Sequence, residues 1–280
     1  MRKRIFKEID KGSVAGAILA ATAIAGGMVL EGGRIAQILQ PTAAMVVFGG
    51  TLGAVMLSFP LPLLIASLKQ IIDVFRDNGP DYRQTIETLV RFCNKARREG
   101  ILALDGELPG IENPFLHRAM MLAIDGTEPN ELRKMMVLEM DLQSERDEDI
   151  PRVFEAAGGY SPTVGILGAV LGLIQVMQHL DNIEEVGKGI AVAFVATIYG
   201  VALANLFCLP AAAKLKTRAQ KVRLVREMML EGVVSMLEGI NPRVLEMKLG
   251  AFLDETDRVD PIMDPKLENI EPAPAPAPTH

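Results

Sequence analysis

The chain has no tryptophan, three tyrosines and two cysteines in 280 residues, and its four long apolar runs contain no Asp, Glu, Lys, Arg or His. Each absence removes a class of function. Cys93 and Cys208 lie far apart, with no Cys-x-x-Cys or Cys/His spacing, which speaks against a disulfide framework or a zinc site. Both read as small buried hydrophobes. No phosphate-binding glycine loop, nucleophile elbow, His-Glu-x-x-His or dinucleotide fingerprint occurs. His117, His179 and His280 stand isolated, so nothing points to catalysis, a metal or a cofactor. The net charge of −6 and the scatter of basic residues leave no footprint for nucleic acid. With 5% aromatic residues the usual aromatic belt of a membrane protein is weak, and anchoring falls to flanking Lys and Arg.

What is present is apolar length. The runs extend from Ser13 to Leu30, Ile35 to Phe59, Tyr160 to Met177 and Ile190 to Ala213. Each reaches or approaches the ~20 residues a helix needs to cross a bilayer core. Ion-handling membrane proteins carry titratable side chains at membrane depth. Here Asp, Glu, Lys, Arg and His are absent, so if the protein handles ions, another polypeptide has to supply the charged relay. Arg2, Lys3, Arg4 and Lys7 precede the first run, as in a signal peptide. That run exceeds the ~7–15 residues of a signal core and a second follows at once, which predicts a retained anchor helix.

Charge orients the spans. Arg2, Lys3, Arg4, Lys7 and Lys11 lie before span one, and Lys214, Lys216, Arg218, Lys221, Arg223 and Arg226 follow span four, while Asp181, Glu184 and Glu185 occupy the loop between spans three and four. The positive-inside rule puts both termini and the long middle section in the cytoplasm. The expected organisation is an all-α membrane protein with four transmembrane helices and a cytoplasmic helical domain. Residues 1–62 form a first transmembrane hairpin, 63–159 the cytoplasmic helical domain and 160–213 a second hairpin. Residues 214–253 form a cytoplasmic helix packing on the middle domain, and 254–280, ending in a Pro-Ala repeat, a disordered tail.

Within the middle section, Ile86, Leu89, Val90, Cys93 and Ala96 recur at helical spacing and Gly100 stops the helix. A short helix covers Phe115 to Ile124. A longer one opens near Pro129 and Glu131 and is expected to run to about Asp149, with Leu132, Met135, Met136, Leu138, Met140 and Leu142 as its apolar surface. After span four, Val222, Val225, Met229, Val233 and Met236 mark another helix. Methionines at this spacing fill core gaps more often than they line a binding groove.

Spans three and four carry two ridges of small residues: Gly165, Gly168, Ala169 and Gly172 on one, Ala196, Gly200 and Ala204 on the other. Small residues let helix backbones approach closely in lipid. The ridges can pack on each other within one chain, or line a path for another helix beside Thr197, Tyr199 and Asn205. Pro162 is expected at the first turn of span three, where its missing N–H costs little. Pro210 is expected to kink the end of span four or free a carbonyl.

The run Ser161-Pro162-Thr163-Val164-Gly165-Ile166-Leu167-Gly168-Ala169-Val170-Leu171-Gly172-Leu173, followed by AFVATIYGVALAN from Ala193 to Asn205, resembles the MotA/PomA family of flagellar stator A subunits, relatives of TolQ and ExbB. The likeness extends to Lys95 through Leu104 and covers roughly residues 1 to 250. It implies a homo-oligomeric ring, by family a pentamer, in the bacterial inner membrane. The ring surrounds a MotB-type single-span partner whose membrane Asp binds the ion. Pro162 and Pro210 match the family's coupling prolines and Thr197 a threonine on the ion path. Ala169 stands where sodium-driven members carry Thr, which implies H+ rather than Na+. Arg97 matches an arginine that engages the rotor protein FliG. The acidic partner position falls on Asp105, with Glu107 as the alternative. Competing readings are a TolQ/ExbB-like energy transducer and a non-conducting membrane scaffold. The former's relatives have three spans with the insertion after the first, unlike the order here.

Overall fold

The computed structural model describes residues 8–77, 81–178 and 180–253. The basic residues 2–7, His179, His280 and the Pro-Ala tail lie outside the described residues. The fold is almost wholly helical, and four of its helices are long and apolar enough to cross a membrane.

Strand β1 (Glu8–Ile9) pairs antiparallel with β2 (Arg76–Asp77). Between them run α1 (Lys11–Leu30), α2 (Pro41–Ala44), a π turn at Met45–Gly49, α3 (Gly50–Ser58) and α4 (Leu61–Val74). The second span therefore starts at Pro41, six residues after the apolar run begins at Ile35. A residue before proline is driven out of helical geometry. Gln40 is accordingly extended (φ −117°, ψ 101°), with Pro41 at the first helical position and only a 3-10 turn, Ile35–Gln37, before it.

The rest comprises α5 (Tyr82–Glu99), a 3-10 run at Ile101–Gly110, α6 (Pro114–Ile124), α7 (Pro129–Gln178), α8 (Ile183–Ala202), a π turn at Leu203–Cys208, α9 (Leu209–Leu237) and α10 (Pro242–Gly250). The boundaries of α5 and α6 follow the sequence pattern closely. Asp81 caps the former and Asn113 the latter through side-chain oxygens. α7 does not stop near Asp149. It continues through Pro151 and Pro162 for 50 residues, about 75 Å of helix. Pro162 is thus an interior proline, not a first-turn residue. Each such proline removes one intrahelical bond, but packing on both sides holds the helical phase, with Val153, Phe154 and Ser161 all buried.

The chain divides into two compact units, Met1–Pro80 with Lys134–Arg226 and Asp81–Arg133 with Glu227–His280. In the first, apolar clusters join Ala43 and Val47 to Val195 and Ala196, and Val74 to Phe154, Ala211 and Leu215. Three ion pairs link α9 to α7: Lys216–Glu155 at 2.6 Å, Arg226–Asp147 at 3.1 Å and Arg223–Asp141 at 3.0 Å. In the second, Leu89, Phe92, Leu104, Met120, Met228, Val233 and Leu245 are buried. Gly232 makes room for Leu89, whose Cδ1 would lie 2.7 Å from a Cβ there. Glu231 is held by Arg133 at 2.9 Å and by Lys248. Met229 and Met236 in this unit, and Met136 and Met140 in the first, are buried and act as core, while Met135, Leu138 and Leu142 of the first are exposed.

Candidate functional site

α7 and α8 meet along the small-residue ridges. A Cβ on Gly165 would lie 2.9 Å from the Ala196 carbonyl oxygen, one on Gly168 2.9 Å from the Ala196 Cβ, and one on Gly172 3.1 Å from the Gly189 carbonyl oxygen. At Gly200 it would come within 2.5 Å of the Ser161 carbonyl oxygen. Nothing larger than hydrogen fits there. Ala196, Gly200 and Ala204 are buried. Within this chain the two ridges pack on each other. Ser161, fully buried, adds a hydrogen bond from its hydroxyl to the Gly200 carbonyl at 2.8 Å. Its place in the seam was not evident from sequence, since serine carries no apolar periodicity; its spacing of four from Gly165 was the available signal.

Other polar groups of these spans are satisfied by their own helices. Thr197 donates to the Ala193 carbonyl at 3.3 Å, Thr163 to Tyr160 at 2.7 Å and Asn205 to Val201 at 3.0 Å. Tyr199 reaches farther. Its hydroxyl donates to the Ile38 carbonyl and accepts from the Gln40 N–H at 3.3 Å, tying α8 to the start of the second span. Pro162, Ala169 and Thr197 are half-buried at the margin of the seam, and Pro210 is exposed. The π turn Leu203–Cys208 ends two residues before Pro210, so the distortion expected there takes the form of a bulge rather than a break.

The second group of candidates lies at the end of α5. Gly100, at φ +86°, turns the chain into the 3-10 run, which Leu104, fully buried, pins down. Arg97 and Asp105 are exposed. Glu107 is engaged by Lys95 at 2.8 Å, each about one-third exposed. That hydrogen bond and the lysine charge hold the Glu107 carboxyl below the usual range. Of the two acids, Asp105 is the one left available.

Arg97 and Cys93 also border a cavity of about 190 Å³ with Ile101, Met236 and Ile240, smaller than ligand pockets of ~300–1,000 Å³. The Cys93 thiol donates to the Ile240 carbonyl at 3.6 Å, and burial pushes its pKa up. Among the described residues no cluster of three His, Cys, Asp or Glu could hold a metal.

The sequence profile of the MotA/TolQ/ExbB proton channel family matches residues 107–228, and that of the motility protein A N-terminal region matches residues 14–100. Motility protein A of Bacillus subtilis is 37% identical, covering 90% of this chain and 93% of the relative. The chain belongs to the MotA/TolQ/ExbB proton channel family. Solved structures share this member's fold. A structure of C. jejuni MotAB aligns with a TM-score of 0.85 at 32% identity, covering 89% of this chain and 98% of that one. The flagellar MotAB stator complex from Bacillus subtilis aligns at 0.82 and 36% identity with the same coverage. This family member is a multi-pass membrane protein built on four apolar helices.

Proposed function

We propose that this chain is the A subunit of a flagellar motor stator in the bacterial inner membrane. One observation carries the reading. A fold shared with MotAB complexes has spans without a single Asp, Glu, Lys, Arg or His, so the ion-binding carboxylate belongs to a partner. That partner is a MotB-type single-span subunit with a membrane Asp, surrounded by a ring of this chain, a pentamer by family. Both termini and the residues 63–159 and 214–253 are cytoplasmic in this reading.

The half-buried Pro162, Ala169 and Thr197, beside a seam too tight to open, are the surfaces available to the partner helix. An ionised carboxylate in a low-dielectric sleeve is expensive and its protonated form is not. Protonation therefore changes which fit between partner and ring is preferred, and repeated protonation turns the ring. Ala169 supports H+ as the ion over Na+. Arg97 and Asp105, exposed at the end of α5, then push the rotor protein FliG. The motility-named relatives and the two spans before the middle section favour this over a TolQ/ExbB-type transducer.

Co-purification is the test. Expressed with its genomic neighbours in detergent, the chain should bring along a one-span protein with a membrane Asp. Purification as a homo-oligomer alone, from cells that swim by it, would sink the reading.

A further inference from the structure

Helix α1 buries none of its residues in the rest of the chain, yet its first turn is fastened by a concentrated set of polar contacts. Asp10 caps the helix, Oδ1 accepting from the N–H of Gly12 at 2.9 Å and of Ser13 at 3.4 Å. Its Oδ2 accepts from the Ser13 hydroxyl at 2.9 Å. The Lys214 ammonium donates to Asp10 Oδ2 and to Ser13 Oγ. The Asp10 backbone N–H donates to the Phe75 carbonyl at 3.0 Å, next to the β1–β2 pair. The two charged side chains are 27% and 32% exposed, so both have given up much of their water. The cap's own hydrogen bonds stay within the first turn of α1, whereas the lysine joins that turn to another element and so steadies it.

That element is α9, and the position on it matters. Lys214 lies one helical turn beyond Pro210, with the π turn Leu203–Cys208 just before it. A π turn beside a proline is where a helix bends. The seam residues Ala196 and Gly200 lie on one side of that π turn and Lys214 on the other. We propose that Asp10 and Lys214 are a positioning pair that fastens the start of span one to α9 one turn beyond Pro210, where α9 packs on Phe154 of α7, so that span one is carried by that packing. The consequence for torque rests on the stator reading; the clasp itself does not.

The test uses the full chain expressed with its partner subunit. Lys214→Met keeps the aliphatic stem and leaves the cap intact, while Asp10→Asn keeps a good capping residue and removes the charge. Hydrogen exchange at the amides of Asp10, Gly12 and Ser13 should rise about tenfold in either variant, the scale of a charged hydrogen bond. The double variant should exchange no faster than either single one, as coupled residues do. Lys214→Arg should keep most of the protection. Swimming speed should fall at least about twofold in Lys214→Met and recover in Lys214→Arg, with the partner still co-purifying. Unchanged exchange in Lys214→Met, or additive effects in the double variant, would overturn the clasp. Raised exchange with unchanged swimming would overturn its positioning role. Failure of the wild-type chain to retain a partner would instead strike the stator reading and leave the exchange result standing.

Discussion

Gly200 and Ser161 face each other in the α7–α8 seam, and their substitutions should behave differently. Gly200→Ala places a Cβ 2.5 Å from the Ser161 carbonyl, an overpacking that costs about 1–3 kcal/mol. It should lower the melting temperature of the detergent-solubilised complex, and Gly200→Val should prevent assembly. Ser161→Ala loses one interhelical hydrogen bond, about 0.6–1.7 kcal/mol in a membrane bundle. Thr163→Ala, which loses only a bond to its own helix, should leave the melting temperature nearly unchanged.

At the proposed rotor-facing end, Asp105→Lys should reduce swimming more than Glu107→Gln, because Glu107 is already committed to Lys95. The folded-state Glu107 carboxyl is held low. Its contribution to stability is therefore present above the ordinary glutamate range and is lost only as pH falls through the lowered folded value. An NMR titration of that carboxyl should shift upward in Lys95→Met; no shift would mean the pair does not form in solution.

Element by element, legibility followed the strength of local signals. α5 and α6 carry a capping Asp or Asn, a 3.6-residue apolar pattern and a glycine stop, so both could be read almost to the residue. α7 could not, because two prolines in its interior are local stop signals that only packing overrides. Half of the apolar residues expected to bury on its first turns, Met135, Leu138 and Leu142, remain exposed. Periodicity names an apolar stripe but not its width. The same conflict between proline and helix makes a prediction. Pro162→Ala should restore the bond to the Gly158 carbonyl and raise thermal stability, by up to about 3 kcal/mol. If the proline serves coupling, swimming should nonetheless fall, a trade of stability against activity. A variant both stabilised and fully motile would remove Pro162 from the mechanism.

Over the whole molecule, basic residues expected to orient the spans are also structural. Lys216, Arg223 and Arg226 follow span four and meet Glu155, Asp141 and Asp147 of α7. The orienting signal survives this neutralisation because the rule counts Lys and Arg rather than net charge. The spans themselves stay free of charge, which leads to a prediction at this scale. The chain reconstituted alone in vesicles should pass no protons, and flux should require the partner subunit with its Asp. Brisk flux through the chain alone would mean that its interior supplies an acceptor not visible in the residues.

Hydrophobic length, the sign of flanking charge and the absence of Asp, Glu, Lys, Arg and His from the apolar runs are properties of composition along a line. They determined four spans, and they carry the proposals for orientation and for a borrowed carboxylate, before any contact was known. Which ridge meets which, which acid Lys95 engages and which helix Asp10 meets depended on residues outside each local segment. Those choices were settled only by tertiary packing, because a glycine ridge, an acid or a capping Asp is locally the same whatever lies opposite it.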